Sequence, residues 1–462
     1  MSVDLNNYFK LGLDSTNQAT QQAGLINTIR TPADTTSAAL NRVTFKVPKT
    51  GMLTADSHFN IRFLTGGVSN HNVNLISGAL GAVKRMRITM GNKVLTDIER
   101  PSLHIIPHLY SRNTLTQLSD YHKHFIGCNY LLNTDFGDGT NSLNPYGSVA
   151  FTAANVVYQR QSNISTAGAP TYSLPLRLLG ADFLNAASMP VFLLQNQEMI
   201  IELEFTNDSR DYAFIPNGAI TAGSVSVDLN NIELVSTHIM LPDEVEQQQI
   251  MSLRNQPAQY PLIDTYLIRG VLPAGAGAQV GTPATERRSE LYRLNVQNRE
   301  VHKMLCVLKP LDGQAETVFA NQRSLACGDE NIQLKINGLN YFERPLTNSA
   351  IIYQVFKDYL DGMGLKFPVE TCTGGSFVSK DQVVSTQFGE ALKQEHYVGF
   401  DFKNGNQGVF GAGTVMKSAI EFEYSSLSDD DRVVESGARD MFFYVSVSKM
   451  LSIGNNVVSV SF

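Results

Sequence analysis

The chain has 462 residues, too many for one hydrophobic core at roughly 100–200 residues per domain, so two large domains are the starting expectation. Hydrophobic residues make up 43% and charged ones only 17%, which leaves ample apolar surface for cores and a surface so sparse in charge that partners are expected over much of it. A formal net charge of -7 excludes a basic footprint for nucleic acid, because neutralising phosphates needs clustered Lys and Arg.

Residues 1–40 are rich in Asn, Gln, Thr, Ala and Asp, with one short amphipathic piece at Tyr8, Phe9, Leu11 and Leu13, and read as an N-terminal arm. From Val43 the signal becomes strict alternation: Val43, Phe45, Val47, then Phe59, Ile61, Phe63, with polar residues between them. A period of two puts one set of side chains on one sheet face. The pattern recurs in Ile201, Leu203, Phe205 against Glu202 and Glu204, and in Val225, Val227, Leu229 against Ser226 and Asp228. These are half-buried antiparallel strands. After Leu241 a polar, acidic and Gln-rich run leads into Pro257 and Pro261, which places a linker at 246–258 between domains at 41–245 and 259–462. Alternation resumes in Met304, Cys306, Leu308, in Ile332, Leu334, Ile336, in Ile420, Phe422, Tyr424 against Glu421 and Glu423, and in the ending Val458, Val460, Phe462. Helical spacing is confined to a segment after Pro101, with Leu103, Ile106 and Tyr110 interrupted by Pro107, and to Ile351, Ile352, Val355 and Tyr359 behind Asn348 or Ser349 as cap. Short strands in two sets with rare helices predict β-sandwiches or barrels.

The halves follow one plan. Arg87 to Met90 leads through Gly91 to Glu99, Arg100, Pro101 and a helix; Gln333 to Ile336 leads through Gly338 to Glu343, Arg344, Pro345 and a helix. The placement of the tripeptide, after a strand pair and before the main helix of each half, carries more weight than the tripeptide itself.

These features resemble the double jelly-roll major capsid proteins of tailless icosahedral DNA viruses. The specific match begins with Tyr-Ser-Leu-Pro-Leu-Arg-Leu-Leu-Gly from Tyr172, then Phe183, then Met-Pro-Val-Phe-Leu-Leu ending at Leu194, leading into the strand Met199 to Phe205. In the second half the runs 332–360 and 414–462 look like the family's strand–helix and terminal strand segments. The likeness spans 40–462 in element order and looks closest to polinton-like viruses and related phages. It implies an all-β chain of two tandem eight-stranded jelly rolls. It implies a structural role without catalysis: a homotrimer of pseudo-hexagonal outline that contacts neighbouring capsomers, penton proteins and minor (cement) capsid proteins within a virion. An internal membrane beneath the shell is left open. Residues 129–171 and 273–288, rich in Gly, Asn, Thr, Ser and Pro, are expected to be long outer loops making tower-like trimer contacts.

Reactive chemistry finds little footing. His104 and His108 stand at helical ligand spacing with His122 and His124 nearby, but Pro107 disturbs the register and no Glu follows His104 as a zincin needs. Asp429, Asp430 and Asp431 lack the glycine and distal Glu of a calcium loop and read as a solvated turn. Glu202 with Glu204 and Glu421 with Glu423 alternate with apolar residues and face away from the core, so they do not read as catalytic pairs. Gly374, Gly375, Gly411 and Gly413 sit in turns, not nucleotide loops. Cys128, Cys306, Cys327 and Cys372 are far apart, which argues against a zinc ribbon or disulfide framework. The start lacks a basic stretch followed by an apolar run, so secretion is not expected, and the glycosylation patterns at Asn163 and Asn207 carry little meaning. No catalytic, cofactor or metal site is expected. The rival from another class is a double-jelly-roll glycan-processing enzyme or glycan-binding protein, against which stands the lack of any Trp for a sugar platform.

Overall fold

The structure is a computed structural model and describes residues 26–65, 71–73, 77–112, 126, 163–164, 171–180, 184, 188–214, 223–253, 257–273, 288–310, 330–347, 349–361, 397–402, 413–426, 438–454 and 457–461. In the first half β1 (Ile26–Pro32), β2 (Thr35–Ser37), β3 (Arg42–Lys46), β4 (Met52–Leu53), β5 (His58–Thr65), β6 (His71–Val73), β7 (Val83–Met90) and β8 (Lys93–Glu99) precede helix α1 (Pro101–Arg112). Then come β9 (Asn163–Ile164), β10 (Thr171–Pro175), β11 (Met199–Phe205), β12 (Ala213–Phe214), β13 (Val225–Val227), β14 (Glu233–Ile239) and helix α2 (Asp243–Ser252). The second half holds β15 (Ala258–Leu272), β16 (Arg288–Leu294), β17 (Glu300–Pro310), β18 (Asn331–Ile336), β19 (Leu339–Asn340), helix α3 (Ser349–Asp361), β20 (Tyr397–Asp401), β21 (Thr414–Val415), β22 (Ile420–Ser426), β23 (Arg439–Gly454) and β24 (Val457–Ser461).

The pairings reveal one topology used twice. The first half stacks the order β1-β14-β5-β10 on the order β3-β11-β7-β8; the second stacks β15-β23-β17-β20 on β16-β22-β18-β19. Lettering eight strands B to I along the chain, both halves read B-I-D-G in one sheet and C-H-E-F in the other, which is a jelly roll. The expected double roll is therefore present. Each strand forms because alternate side chains are apolar: β5 buries Phe59, Ile61 and Phe63 and turns Asn60 and Arg62 outward. The central H strands carry a closely matching pattern, Ile201-Glu202-Leu203-Glu204-Phe205 in β11 and Ile420-Glu421-Phe422-Glu423-Tyr424 in β22. The β7–β8 turn at Gly91 (φ +57°) and the β18–β19 turn at Asn337 and Gly338 (φ 53° and +81°) both need the left-handed region, and each strand pair leads into Glu-Arg-Pro and a helix.

Three expectations change. The arm is not wholly an arm: β1 pairs along its length with β14, and β2 with β3, so residues 26–37 close the first roll. The polar stretch read as a linker begins within α2, whose first turn holds Asp243, Glu244 and Glu246, where carboxylates favour the helix dipole. Pro107 lies inside α1 and does not interrupt it. Burial of Leu103 and Ile106, about 1.5–3 kcal/mol each, offsets the roughly 3 kcal/mol cost of an interior proline. Of the two expected loops, 163–164 form β9, and 129–162, 165–170 and 274–287 lie outside the described residues.

The second roll's own core centres on Phe422, with ring centroids 5.1 Å from Phe443, 6.2 Å from Phe400 and 6.4 Å from Tyr424. Replacing Phe422 by Ala is expected to destabilise this roll by about 3–5 kcal/mol, the cost of a large cavity. Denaturant unfolding followed by tyrosine fluorescence checks it; an unchanged midpoint contradicts the packing described.

Candidate functional site

Among the described residues no reactive cluster stands out, and the candidate surface is a contact: the seam where the first roll meets the second. It follows from two strands with apolar residues on both faces. On β17, Met304, Cys306 and Leu308 enter the second roll's core while Leu305 and Val307 join the cluster of the first roll; on β23, Met441, Phe443 and Val445 do the former and Phe442 and Tyr444 the latter. Leu305, Val307, Phe442 and Tyr444 therefore lie on the sheet's outer face, which would be an exposed apolar patch if nothing covered it. The edge strand β8 packs on β15 and β24, and α1 on β17. The signal was in the sequence: the unbroken apolar runs 304–308 and 441–445 mark strands buried on both faces, where alternation alone marks one.

Polar groups fix the register of this contact. Tyr444 Oη donates to the carbonyls of Arg100 (2.9 Å) and Glu99 (3.2 Å), at a turn where Arg100 takes φ 48°. Arg269 pairs with Glu99 across the seam, its guanidinium 5.1 Å above the Phe442 ring. Lys449 Nζ donates to Leu95 O (3.3 Å) and pairs with Asp264. Arg100 also reaches back to buried Asp211 at 3.1 Å, whose Oδ2 accepts from Thr206 Oγ1 at 2.9 Å. Burial lifts the Asp211 carboxyl above its ordinary range, although Arg100, Lys309 of the second roll and the Thr206 hydroxyl pull it down.

His104 has a structural place here. Its ring is buried, 5.3 Å from the Tyr444 ring. Burial, reinforced by the Lys303 ammonium, pushes its pKa down to about 4. Lys303 is itself buried and donates to Tyr359 O on α3 at 2.6 Å. His108 lies on the same helix, but its side chain is outside the described residues, as are His122, His124 and Asp429–Asp431. Among the described residues no three His, Cys, Asp or Glu side chains form a metal-holding group. The glutamates of the H strands sit on the outer sheet faces in cross-strand ion pairs: Glu202 with Arg42 (3.4 Å), Glu204 with Lys84 (2.6 Å), Glu421 with Arg293 (3.3 Å) and Glu423 with Lys335 (3.7 Å). Such pairs balance charge across a ladder and do not converge on a substrate. Cys306 is buried in the second core; the other three cysteines lie outside the described residues.

Acid should loosen the seam. An unfolded imidazole takes its proton near 6.5 and the folded His104 only near 4, so its contribution is whole above pH 6.5 and is lost as the pH falls towards 4, by about 3 kcal/mol at most. Asp211 runs the other way, since protonating its raised carboxyl relieves a penalty. The two separate in a His104→Phe variant: its melting temperature relative to the parent should rise as the pH drops through that window. A constant difference contradicts the buried neutral imidazole.

No family model matches the sequence, and no curated protein matches it. Solved structures do. PBCV-1 VP54, a crystal structure fitted into a reconstruction of the virophage Sputnik, superposes with a TM-score of 0.57 at 10% identity, covering 95% of this chain and 96% of that one. The Faustovirus major capsid protein gives 0.56 at 12% identity over 94% and 91% of the two chains. The mavirus major capsid protein gives 0.53 at 10% identity over 95% and 90%. The identities are 10–12%, so the likeness lies in the fold. The chain has the double jelly-roll fold of these viral proteins.

Proposed function

We propose that this chain is a major capsid protein, a structural subunit whose function lies in its contact surfaces. The observation that carries the reading is the pair of rolls in one chain, strands β1 to β14 and β15 to β23, each with a B-I-D-G and a C-H-E-F sheet; in this reading the domains 41–245 and 259–462 on either side of 246–258 are the two rolls, the first extended at the front by β1 and β2. Two similar wedges locked edge to face make one third of a pseudo-hexagonal ring. Three chains then close the ring through contacts in which each subunit offers two different patches. Such capsomers would tile facets of an icosahedral shell, meeting pentons and cement proteins at their margins, and the protein's place would be the virion. The likeness to viral capsid proteins of matching length supports this reading. A glycan-processing enzyme on the same architecture would need carboxylates converging in a cleft, whereas the four glutamates of the H strands are spread in ion pairs over two outer faces.

Light scattering with electron microscopy of the purified chain tests it. The expected particle has three times the 50.8 kDa chain mass and a hexagonal outline. A monomer at every concentration, or one that hydrolyses a glycan, would overturn the assignment.

A further inference from the structure

We propose that the lower ends of the second roll's B and I strands, together with β24, form a clasp: a three-stranded ribbon that grips the first roll and releases as a unit while both rolls stay folded. The B and I strands of the second roll are 15 and 16 residues long, against 7 and 7 in the first. D strand β17 pairs with β23 only as far down as Val447; below it β24 takes the same side of β23 at Met450–Gly454, while β15 lines the other side. The added length thus runs past the D strand as a ribbon of Ala258–Leu262, Met450–Gly454 and Val457–Ser461.

One face of this ribbon changes partner along its length. On β23 Met441, Phe443, Val445 and Val447 enter the second roll's core, Lys449 follows, and then Leu451 and Ile453 join the cluster of the first roll. Strand β15 repeats the switch: Ile268 and Tyr266 pack against the second core, Asp264 comes between, and Leu262, Tyr260 and Ala258 belong to the first roll's cluster. Side chains two apart share a face, so the partner changes while the face does not. The buried ion pair of Lys449 with Asp264 sits at the changeover and breaks the apolar stripe there, separating the ribbon's contacts from those of the roll above. Val458 of β24, 6% exposed, adds to the grip, and β24 packs on β8. The ribbon's other face has little to hold it, since Gln259, Met450, Val457, Ser459 and Ser461 are exposed. Among the described residues β24 pairs with no strand but β23. A ribbon gripped on one face opens at less cost than the roll it extends from. Tyr444 holds Arg100 from the opposite face of β23, so that joint stays in place and the first roll swings about it. The clasp concerns a single chain and stands apart from the capsid reading.

Hydrogen exchange of the full chain, read peptide by peptide in a mass spectrometer, tests it. In the parent, 258–262, 450–454 and 457–461 are expected to exchange together, at least about tenfold faster than 301–308 and 441–447. Val458→Asp, which puts a charge into the grip, should speed the three ribbon segments by about tenfold more and leave 301–308 and 441–447 as they were. Val457→Asp, 62% exposed on the ribbon's free face, should change nothing. If Val458→Asp does not fold, Val458→Ala must give the same pattern at smaller size. Ribbon segments that exchange no faster than 441–447 in the parent, or a Val458 variant whose faster exchange spreads through 441–447, would overturn the clasp, because ribbon and roll would then open as one body.

Discussion

Covering the outer face of the second roll's B-I-D-G sheet is the constraint on which the rest of the molecule depends. Leu305, Val307, Phe442 and Tyr444 lie on that face, each buried, and the first roll supplies much of the cover through β8 and α1. Four such side chains, at about 1.5–3 kcal/mol each, outweigh the net worth of the hydrogen bonds along the seam. The hydrogen bonds do something else. Tyr444 Oη finds backbone carbonyls only if residues 99–100 stand opposite it, so the polar groups select one register out of many greasy ones.

The seam is also where charge is buried. Asp211, Lys303 and Lys309 are each at most 5% exposed, Lys309 acting on Asp211 and Lys303 on His104 across the joint between the rolls. Replacing such groups by apolar residues is often neutral or stabilising, so their presence speaks for specificity more than for strength. A wrong pairing of rolls would leave a carboxylate or an ammonium without its counterpart, a penalty that an all-apolar joint would not impose. His104 fits the same logic, neutral because burial withholds water from its charged form and Lys303 repels it.

Duplication is written most plainly in the H strands, where Ile-Glu-Leu-Glu-Phe and Ile-Glu-Phe-Glu-Tyr occupy the same slot and pair outward with Arg or Lys. Divergence is written in the F strands. In the first roll F runs Lys93–Glu99 and is covered; in the second it is two residues, Leu339–Asn340. A short edge offers few unpaired backbone groups, which guards against strand addition.

Alternation of apolar and polar residues determined most strands, because a half-buried strand must repeat every second residue whatever lies beyond it. The doubled Glu-Arg-Pro and its glycine turn likewise foretold two copies of one plan. What alternation could not give was the partner of each face. Residues 26–37 look polar enough for an arm, yet their backbone closes the first roll; Pro107 looks like a break, yet Leu103 and Ile106 hold the helix through it. The histidine at 104, discounted as a metal ligand from its spacing, is a buried ring against Tyr444, 340 positions away in the chain. Local pattern fixes which side of a strand is apolar; only the packed chain decides what that side meets, since the contact joins residues whose separation in sequence carries no periodic trace.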